Sequence, residues 1–432
     1  MSKKIDVNVH HITRVEGHGN IVLRASDGTI EKLEWQVPEA PRFFEAIVRG
    51  RMWDSIQVIV SRICGICSIS HSLAAVKAVE DAMGVKISDQ TDNLRRLAHY
   101  GEQLQSHILH VGYLVAPDLL SAESVVQVAS SHPEAVKTII AIHRVANQWT
   151  ELIGGRMTHP VSFRLGGFGK LPTEAELREL KKSLEDTIPK LEIVAELVLS
   201  LAGELPAFER DTEYIALVEP GRYPFYQGNI GSTDTSETVD IHEFESVVNE
   251  YLTPQSTAKW TKWHRDSYAV GALARYNLNA DFLLPLAAKT EKAFGLKKGC
   301  CNPYLNTVAQ VVESVQVVER ALRFIDELLT VGIKPETPNV RPKAGMGVGA
   351  VEAPRGILFH RYAFDEDGKC TSANMCIPTN QNHGNIQKDF EALVPQIMDR
   401  DQDEIRQMLE MLVRAYDPCI SCSTHYLDVK FV

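Results

Sequence analysis

The chain has 432 residues, 44% of them hydrophobic and 23% charged, with a formal net charge of -11. That length supports a large core, and no apolar run reaches the roughly 20 residues of a membrane-spanning helix. The acidic balance argues against a nucleic-acid partner, and the opening Met1-Ser-Lys-Lys-Ile-Asp lacks an apolar leader, which leads us to expect a cytoplasmic protein.

Val7 to Trp35 alternates apolar and polar residues around Asp27-Gly28, predicting an antiparallel hairpin in a small amino-terminal β lobe. Just before the hairpin, Thr13 to Gly19 is polar and glycine-punctuated, which taken locally reads as a solvated turn. Phe43 to Arg51 predicts a short helix stopped by Gly50, with Glu45 among apolar neighbours, where a buried carboxylate needs a cation.

Ser61 to His71 then brings two soft ligands, a cation and an imidazole close together. Cys64 and Cys67 stand in Cys-x-x-Cys spacing, so both sulfurs can face one centre from a tight turn, and Gly65 lets the backbone approach. Leu73 to Met83 has helical periodicity with Gly84 as its C-cap, which puts the pair at a helix entrance, a position that favours thiolate over thiol. Thr91 to Leu114 predicts a second long helix ending at Pro117-Asp118. Its His107 and His110, three apart, could share a metal, although hydrogen-bonded histidines are the commoner case.

A further helix opens at Pro133 and runs through Ile153. Leu165 to Lys170 is glycine-rich, but Leu171 stands where a phosphate loop requires Ser or Thr. Thr173 and Glu176 form a capping box that opens a helix expected from Glu174 to about Ala202. Leu217 to Glu237 reads as loop and short strands, and Thr307 to Leu329 as another helix closed by Gly332 and Pro335. Ala353-Pro354-Arg355-Gly356 leads into a strand from Ile357. After a turn at Asp365 to Gly368, Ile377-Pro378-Thr379-Asn380 reads as another turn. A last helix, Asp403 to Ala415, delivers Asp417-Pro418 and a second pair, Cys419 and Cys422, followed by His425.

Two such pairs at opposite ends of a chain meet only if the fold closes both ends around one core. By residue type the four thiolates suit structural zinc, an iron-sulfur cluster or a redox metal. Structural zinc usually staples a small module with ligands close in sequence, and that weighs against zinc in a large chain with core enough of its own. Cys300, Cys301, Cys370 and Cys376 follow no ligand spacing, so the chain has no further cysteine set for a cluster.

Arg62-Ile-Cys-Gly-Ile-Cys with His71, together with Asp417-Pro-Cys-x-x-Cys-x-x-His425, resembles the paired signatures of the large subunit of nickel-iron hydrogenases. Arg14-Val-Glu-Gly-His, the Phe44 to Arg51 run, Gly154-Gly-Arg-x-x-His-Pro, Tyr268-Ala-Val-Gly-Ala-Leu-Ala-Arg275 and Ala353-Pro-Arg-Gly-x-Leu-x-His360 extend the resemblance over residues 13–425. The wording is most similar to the cytoplasmic, cofactor-coupled group, of the methyl-viologen-reducing or bidirectional type. The resemblance implies an α+β fold that is predominantly α-helical, one large-subunit unit over 1–432. Within it we expect a β-rich lobe at 1–60, a helical core at 61–335 and a segment at 336–432 returning to the metal site.

It also implies a catalytic subunit that splits dihydrogen reversibly and heterolytically. Cys64 and Cys419 would be terminal nickel ligands, and Cys67 and Cys422 would bridge to an iron carrying carbon monoxide and two cyanides. Cys419 or Arg355 would take the proton; the high pKa of arginine favours the thiolate, with Arg355 positioning and polarising. Glu16 would relay the proton outward, Asp118 and Asp417 would flank Arg355, and Thr379 with the backbone near Pro378 would bond the cyanides. Glu45 and His425 would hold a separate magnesium or iron ion. The implied partners are an iron-sulfur small subunit, with flavin or iron-sulfur electron-transfer subunits of nicotinamide, ferredoxin or heterodisulfide-reductase type, hence a larger hetero-oligomer. Two features depart from the family pattern. Tyr426 to Val432 follow the histidine after which the family's extension is usually removed, which suggests an unprocessed type or an unusual tail, and Ile-Pro-Thr-Asn-Gln-Asn replaces a commoner aromatic-containing wording. The competing readings are a non-catalytic scaffold like the homologous complex I subunit, which lacks the cysteine pairs, and a structural zinc protein.

Overall fold

The structure, a computed structural model, describes residues 4–424. Lys4–Val9, Asn20–Ser26 and Thr29–Gln36 form an antiparallel sheet in that order, turning at Asp27 and Gly28, both at positive φ. Its inward face (Val7, Ile21, Leu23, Trp35) is buried, as the alternation predicts.

Long helices make up the centre. Asp89–Leu109 packs against Ser68–Met83, Pro133–Gly154 and Asn306–Val331, and Ser68–Met83 lies on a second antiparallel sheet of Gly345–Ala353, Gly356–Phe364 and Cys370–Cys376. The close approach of Gly345–Ala353 to Ser68–Met83 rests on glycine. A Cβ on Gly345, Gly347 or Gly349 would fall 2.5, 2.2 or 2.0 Å from the carbonyl oxygens of Ala82, Ala78 and Ala74. Alternate strand positions thus face successive turns of one helix, and small residues on both sides let the two backbones touch.

Three local readings are corrected. The helix expected from Glu174 to about Ala202 is two helices, Glu174–Glu185 and Ile188–Leu201, because Pro189 in the first turn of the second cannot continue the first. The capping box of Thr173 and Glu176 is present as expected. The Thr91 to Leu114 helix is α-helical to Leu109 and then widens to a π-helix over His110–Val115. Ile377 to Asn380 is not a free turn: Pro378 is the first residue of the helix Pro378–Ile397, which polar residues had disguised because nearly all of its first half is buried. The glycine-rich Leu165 to Lys170 run folds into a small hairpin, Phe163–Arg164 against Gly167–Phe168. No described helix is long and apolar enough to cross a membrane.

Candidate metal centre

Each cysteine pair is delivered by the end of a helix. Cys64 follows a 3₁₀ turn, Ser61–Ile63, in extended conformation, and Cys67 is the N-cap of Ser68–Met83. The Ile66 and Cys67 amides donate to Cys64 Sγ at 3.2 and 3.4 Å. At the other end, Gln402–Ala415 stops before Asp417, whose φ of 49° turns the chain so that Cys419 and Cys422 face back inward. Aspartate is one of the few residues that tolerate this conformation.

The two pairs meet. Cys64 Sγ lies 3.4 Å from Cys419 Sγ and Cys67 Sγ 3.8 Å from Cys422 Sγ, and all four sulfurs fall within 4.8 Å of one another. All four are buried and none is in a disulfide. Hydrogen bonds from Cys419 and the other two sulfurs hold the Cys64 thiol well below its ordinary range, whereas burial pushes Cys419 and Cys422 well above it. Such a cluster releases protons on taking up a thiophilic cation, which is the donor chemistry nickel and iron require.

Arg355 is aimed at these sulfurs from the tip of the two-residue turn between Gly345–Ala353 and Gly356–Phe364. Its Nε donates to the Asp417 carbonyl at 2.6 Å and Nη2 to Asp417 Oδ1 at 2.9 Å, while Nη1 is buried with no protein partner. Burial opposes the charge, but Asp417 and the nearby sulfurs of Cys419, Cys67 and Cys64 outweigh it and raise the pKa well above the usual value. A guanidinium whose Nη1 is left unanswered beside a thiol cluster fits a negatively charged metal group.

Glu16 enters from the amino-terminal lobe. Its carboxylate accepts from Cys419 Sγ at 3.1 Å, from the Ser421 amide at 3.2 Å and from the Ser421 hydroxyl, while its carbonyl accepts the Ile420 amide at 2.9 Å. Gly17 permits this contact: at φ 86°, a Cβ there would fall 2.7 Å from Ile420 and Ser421 atoms. Thr13 to Gly19 is therefore no solvated turn. It is polar because it docks on the second cysteine loop.

Thr379 Oγ1 accepts the Cys419 amide at 3.1 Å, leaving its own hydroxyl proton to give. The expected contact between Asp118 and Arg355 is not made: the buried Asp118 carboxylate binds Arg414 at 2.6 and 2.9 Å and Arg14 at 2.5 Å, so it ties the Glu16 loop to the last helix instead. Asp417 does hold Arg355 and also accepts Gln310 Nε2 at 3.1 Å. His107 and His110 are hydrogen-bonded core residues, His107 to Glu313 at 2.8 Å and His110 to Gln310 at 2.5 Å. Glu45 is buried, accepting the Met375 amide at 2.9 Å; His425, its expected partner, lies outside the described residues.

Sequence reasoning missed Glu102. Because the sulfur at the N-cap of Ser68–Met83 faces the cluster, the cap is made from elsewhere. Glu102 accepts the Ile69 and Ser70 amides at 2.6 and 2.9 Å, and burial raises its pKa to about 8. The available signal was a helix whose N-cap position holds no capping residue.

Residues 42–152 and 218–425 match the nickel-dependent hydrogenase family. The alpha chain of sulfhydrogenase 1 of Pyrococcus furiosus is 32% identical, with 98% of each chain covered. The matching chain of the F420-non-reducing hydrogenase vhc of Methanococcus voltae is 32% identical over 97% of this chain and 94% of its own. Among solved structures, an NAD+-reducing [NiFe]-hydrogenase in the H2-reduced state superposes with a TM-score of 0.89 at 27% identity, covering 97% of this chain and 99% of that one. With the four-thiol cluster in place and the match spanning most of its length, the chain belongs to the nickel-dependent hydrogenases.

Proposed function

We propose that this chain is the catalytic subunit of a nickel-iron hydrogenase, in which Cys64 and Cys419 would be ligands of nickel and Cys67 and Cys422 would be ligands to both nickel and iron. When bound, the centre supplies a redox-active Lewis acid at which dihydrogen is split heterolytically. The contact between Cys419 Sγ and Glu16 at 3.1 Å carries the reading, since it puts a carboxylate within one proton transfer of a cluster sulfur. Cys419 takes the proton and Glu16 passes it outward. Arg355, fixed in charge by Asp417, polarises and positions rather than acting as base. Thr379, whose hydroxyl proton is left to give, and backbone N–H groups near Pro378 would hydrogen-bond the two cyanides of an iron that also carries carbon monoxide. Asp118 supports the site indirectly by holding the Glu16 loop. Glu45 with His425 is assigned a magnesium or iron ion.

The reading treats the chain as one unit, because two of the buried cores draw side chains from both its ends. It also requires a partner. The chain has no cysteine set for an electron-carrying cluster, and its relatives are named as subunits. Phe43, Ile47, Met52 and Val58 are large apolar side chains left exposed just before the first cysteine pair, and Met157 and Val161 flank His159, which bonds Ser61 and Ser68 beside that pair. This face suits an iron-sulfur small subunit. That subunit would connect to flavin or iron-sulfur modules using nicotinamide, ferredoxin or a heterodisulfide reductase, in a cytoplasmic hetero-oligomer.

The test is to mature the chain without partners and assay dihydrogen-dependent reduction of a bulky soluble acceptor. We expect turnover only when the small subunit is added; rapid turnover by the isolated chain would defeat the partner assignment.

A further inference from the structure

The Tyr268 to Arg275 motif has no role in the reading above, yet it ends in the most completely satisfied side chain near the site. Arg275, on the helix Ala272–Asn279, is fully buried and uses all five N–H groups. Nε and Nη2 each donate to Glu313 at 2.6 Å, Nη1 donates to Glu352 Oε2 at 3.0 Å, and the remaining two N–H groups go to backbone carbonyls, Ala353 O and Pro354 O, both at 3.0 Å. Those carbonyls belong to the turn whose next residue is Arg355.

We propose that Arg275 is a positioning residue that clamps the Ala353-Pro354 turn and thereby fixes where the Arg355 guanidinium stands over the cluster sulfurs. The clamp is anchored beyond the turn. Glu313 is held in addition by His107 at 2.8 Å and Tyr223 at 2.7 Å. Glu352 lies on the strand that carries the turn and accepts the Leu217 amide at 2.6 Å, while Gln103 Nε2 donates to the Glu352 carbonyl at 2.6 Å. On the other side, Gly356 has a φ of 131° and packs so closely that a Cβ would fall 2.4 Å from Val270. The two-residue turn is thus gripped at both ends, and only the planar five-donor fork of arginine serves two carboxylates and two carbonyls at once. Arg275 touches no sulfur, so it acts through Arg355.

The inference rests on the assignment of Arg355 above, and a double-mutant cycle separates the two. The variants Arg275→Lys, Arg355→Lys and the double are purified with matured metal, and their nickel and iron content, dihydrogen-deuterium exchange and nickel electron-paramagnetic spectrum are compared. We expect metal content near wild type and an Arg275→Lys exchange rate about 10- to 100-fold lower, the scale of an ångström-level misplacement. Its nickel spectrum should shift as that of Arg355→Lys does, and the double variant should be no worse than Arg355→Lys alone. Additive losses, or an unshifted spectrum in Arg275→Lys, would overturn the positioning role; an Arg355→Lys variant with wild-type exchange would instead remove the Arg355 assignment beneath it. If Arg275→Lys does not fold, Glu352→Gln, which weakens the same clamp but keeps an acceptor, takes its place in the cycle with the same outcomes.

Discussion

Glu16 offers one carboxylate to three donors of the second cysteine loop, and only the thiol among them is a proton source of the right kind. Replacing it with glutamine keeps the size and an acceptor oxygen but removes the proton carrier. Glu16→Gln should therefore retain nickel and iron while lowering dihydrogen-deuterium exchange with solvent by about 10²- to 10⁴-fold, the usual worth of a general base. Full exchange in purified Glu16→Gln protein would take Glu16 out of the relay. The identity of this residue was legible only through the motif around it, since its local surroundings look like a surface loop until the chain ends are brought together.

A second residue-scale expectation concerns His383. Its ring stands between Trp35 and Ser423: Trp35 Nε1 donates to Nδ1 at 3.0 Å, and Nε2 lies 3.1 Å from Ser423 Oγ. The Ser423 hydroxyl donates to the Ile420 carbonyl at 2.6 Å, so Nε2 carries the proton and the ring is neutral. Burial lowers its pKa from 6.5 to about 3. Between these values the unfolded chain binds a proton that the folded chain refuses, so stability contributed here is complete above pH 6.5 and is lost as pH falls toward 3. His383→Gln should flatten the pH dependence of the urea midpoint across that window by about one proton's worth of slope. An unchanged slope would mean that the ring is protonated in the folded protein. Nothing in the sequence flagged His383, because a neutral histidine wedged between a tryptophan and a serine has no local pattern.

At the scale of elements, the contact between Gly345–Ala353 and Ser68–Met83 couples Arg355 to Cys67: the strand ends in the arginine turn and the helix begins at the cysteine. Gly349 is its tightest point, where a Cβ meets the Ala74 carbonyl at 2.0 Å and backbone rather than a flexible side chain must yield. Gly349→Ala should destabilise the chain by at least about 1–3 kcal/mol, the ordinary cost of overpacking. A denaturation midpoint within error of wild type would show that the two backbones are not in contact. The helix was readable from its period and from Gly84 at its end. The strand was not, because Gly-Met-Gly-Val-Gly-Ala has glycine at every other position and only one β-branched residue, and reads as a loop until the helix it serves is known. Pro189 shows the opposite failure: a clear breaker was overridden by the strong periodicity on both sides of it.

Over the whole molecule, closure of the two ends was foreseeable from the cysteines alone, since paired thiols so far apart have no other shared use. The helical majority and the amino-terminal sheet followed from pattern. What pattern could not supply was the route of support behind the cluster: Glu102 capping the cysteine helix, Asp118 serving the Glu16 loop instead of Arg355, and Arg275 beneath the arginine turn are all long-range contacts between buried polar groups.

The central claim is that the four thiols hold nickel together with iron. Elemental analysis of the matured chain, compared with its Cys419→Ser variant, tests it most directly, because serine oxygen is a poor substitute for a soft thiolate. The account predicts nickel and iron in about equal amounts in the wild type and loss of dihydrogen turnover, with nickel lost or loosened, in Cys419→Ser. Zinc alone, or no metal, in fully matured wild-type protein would contradict it.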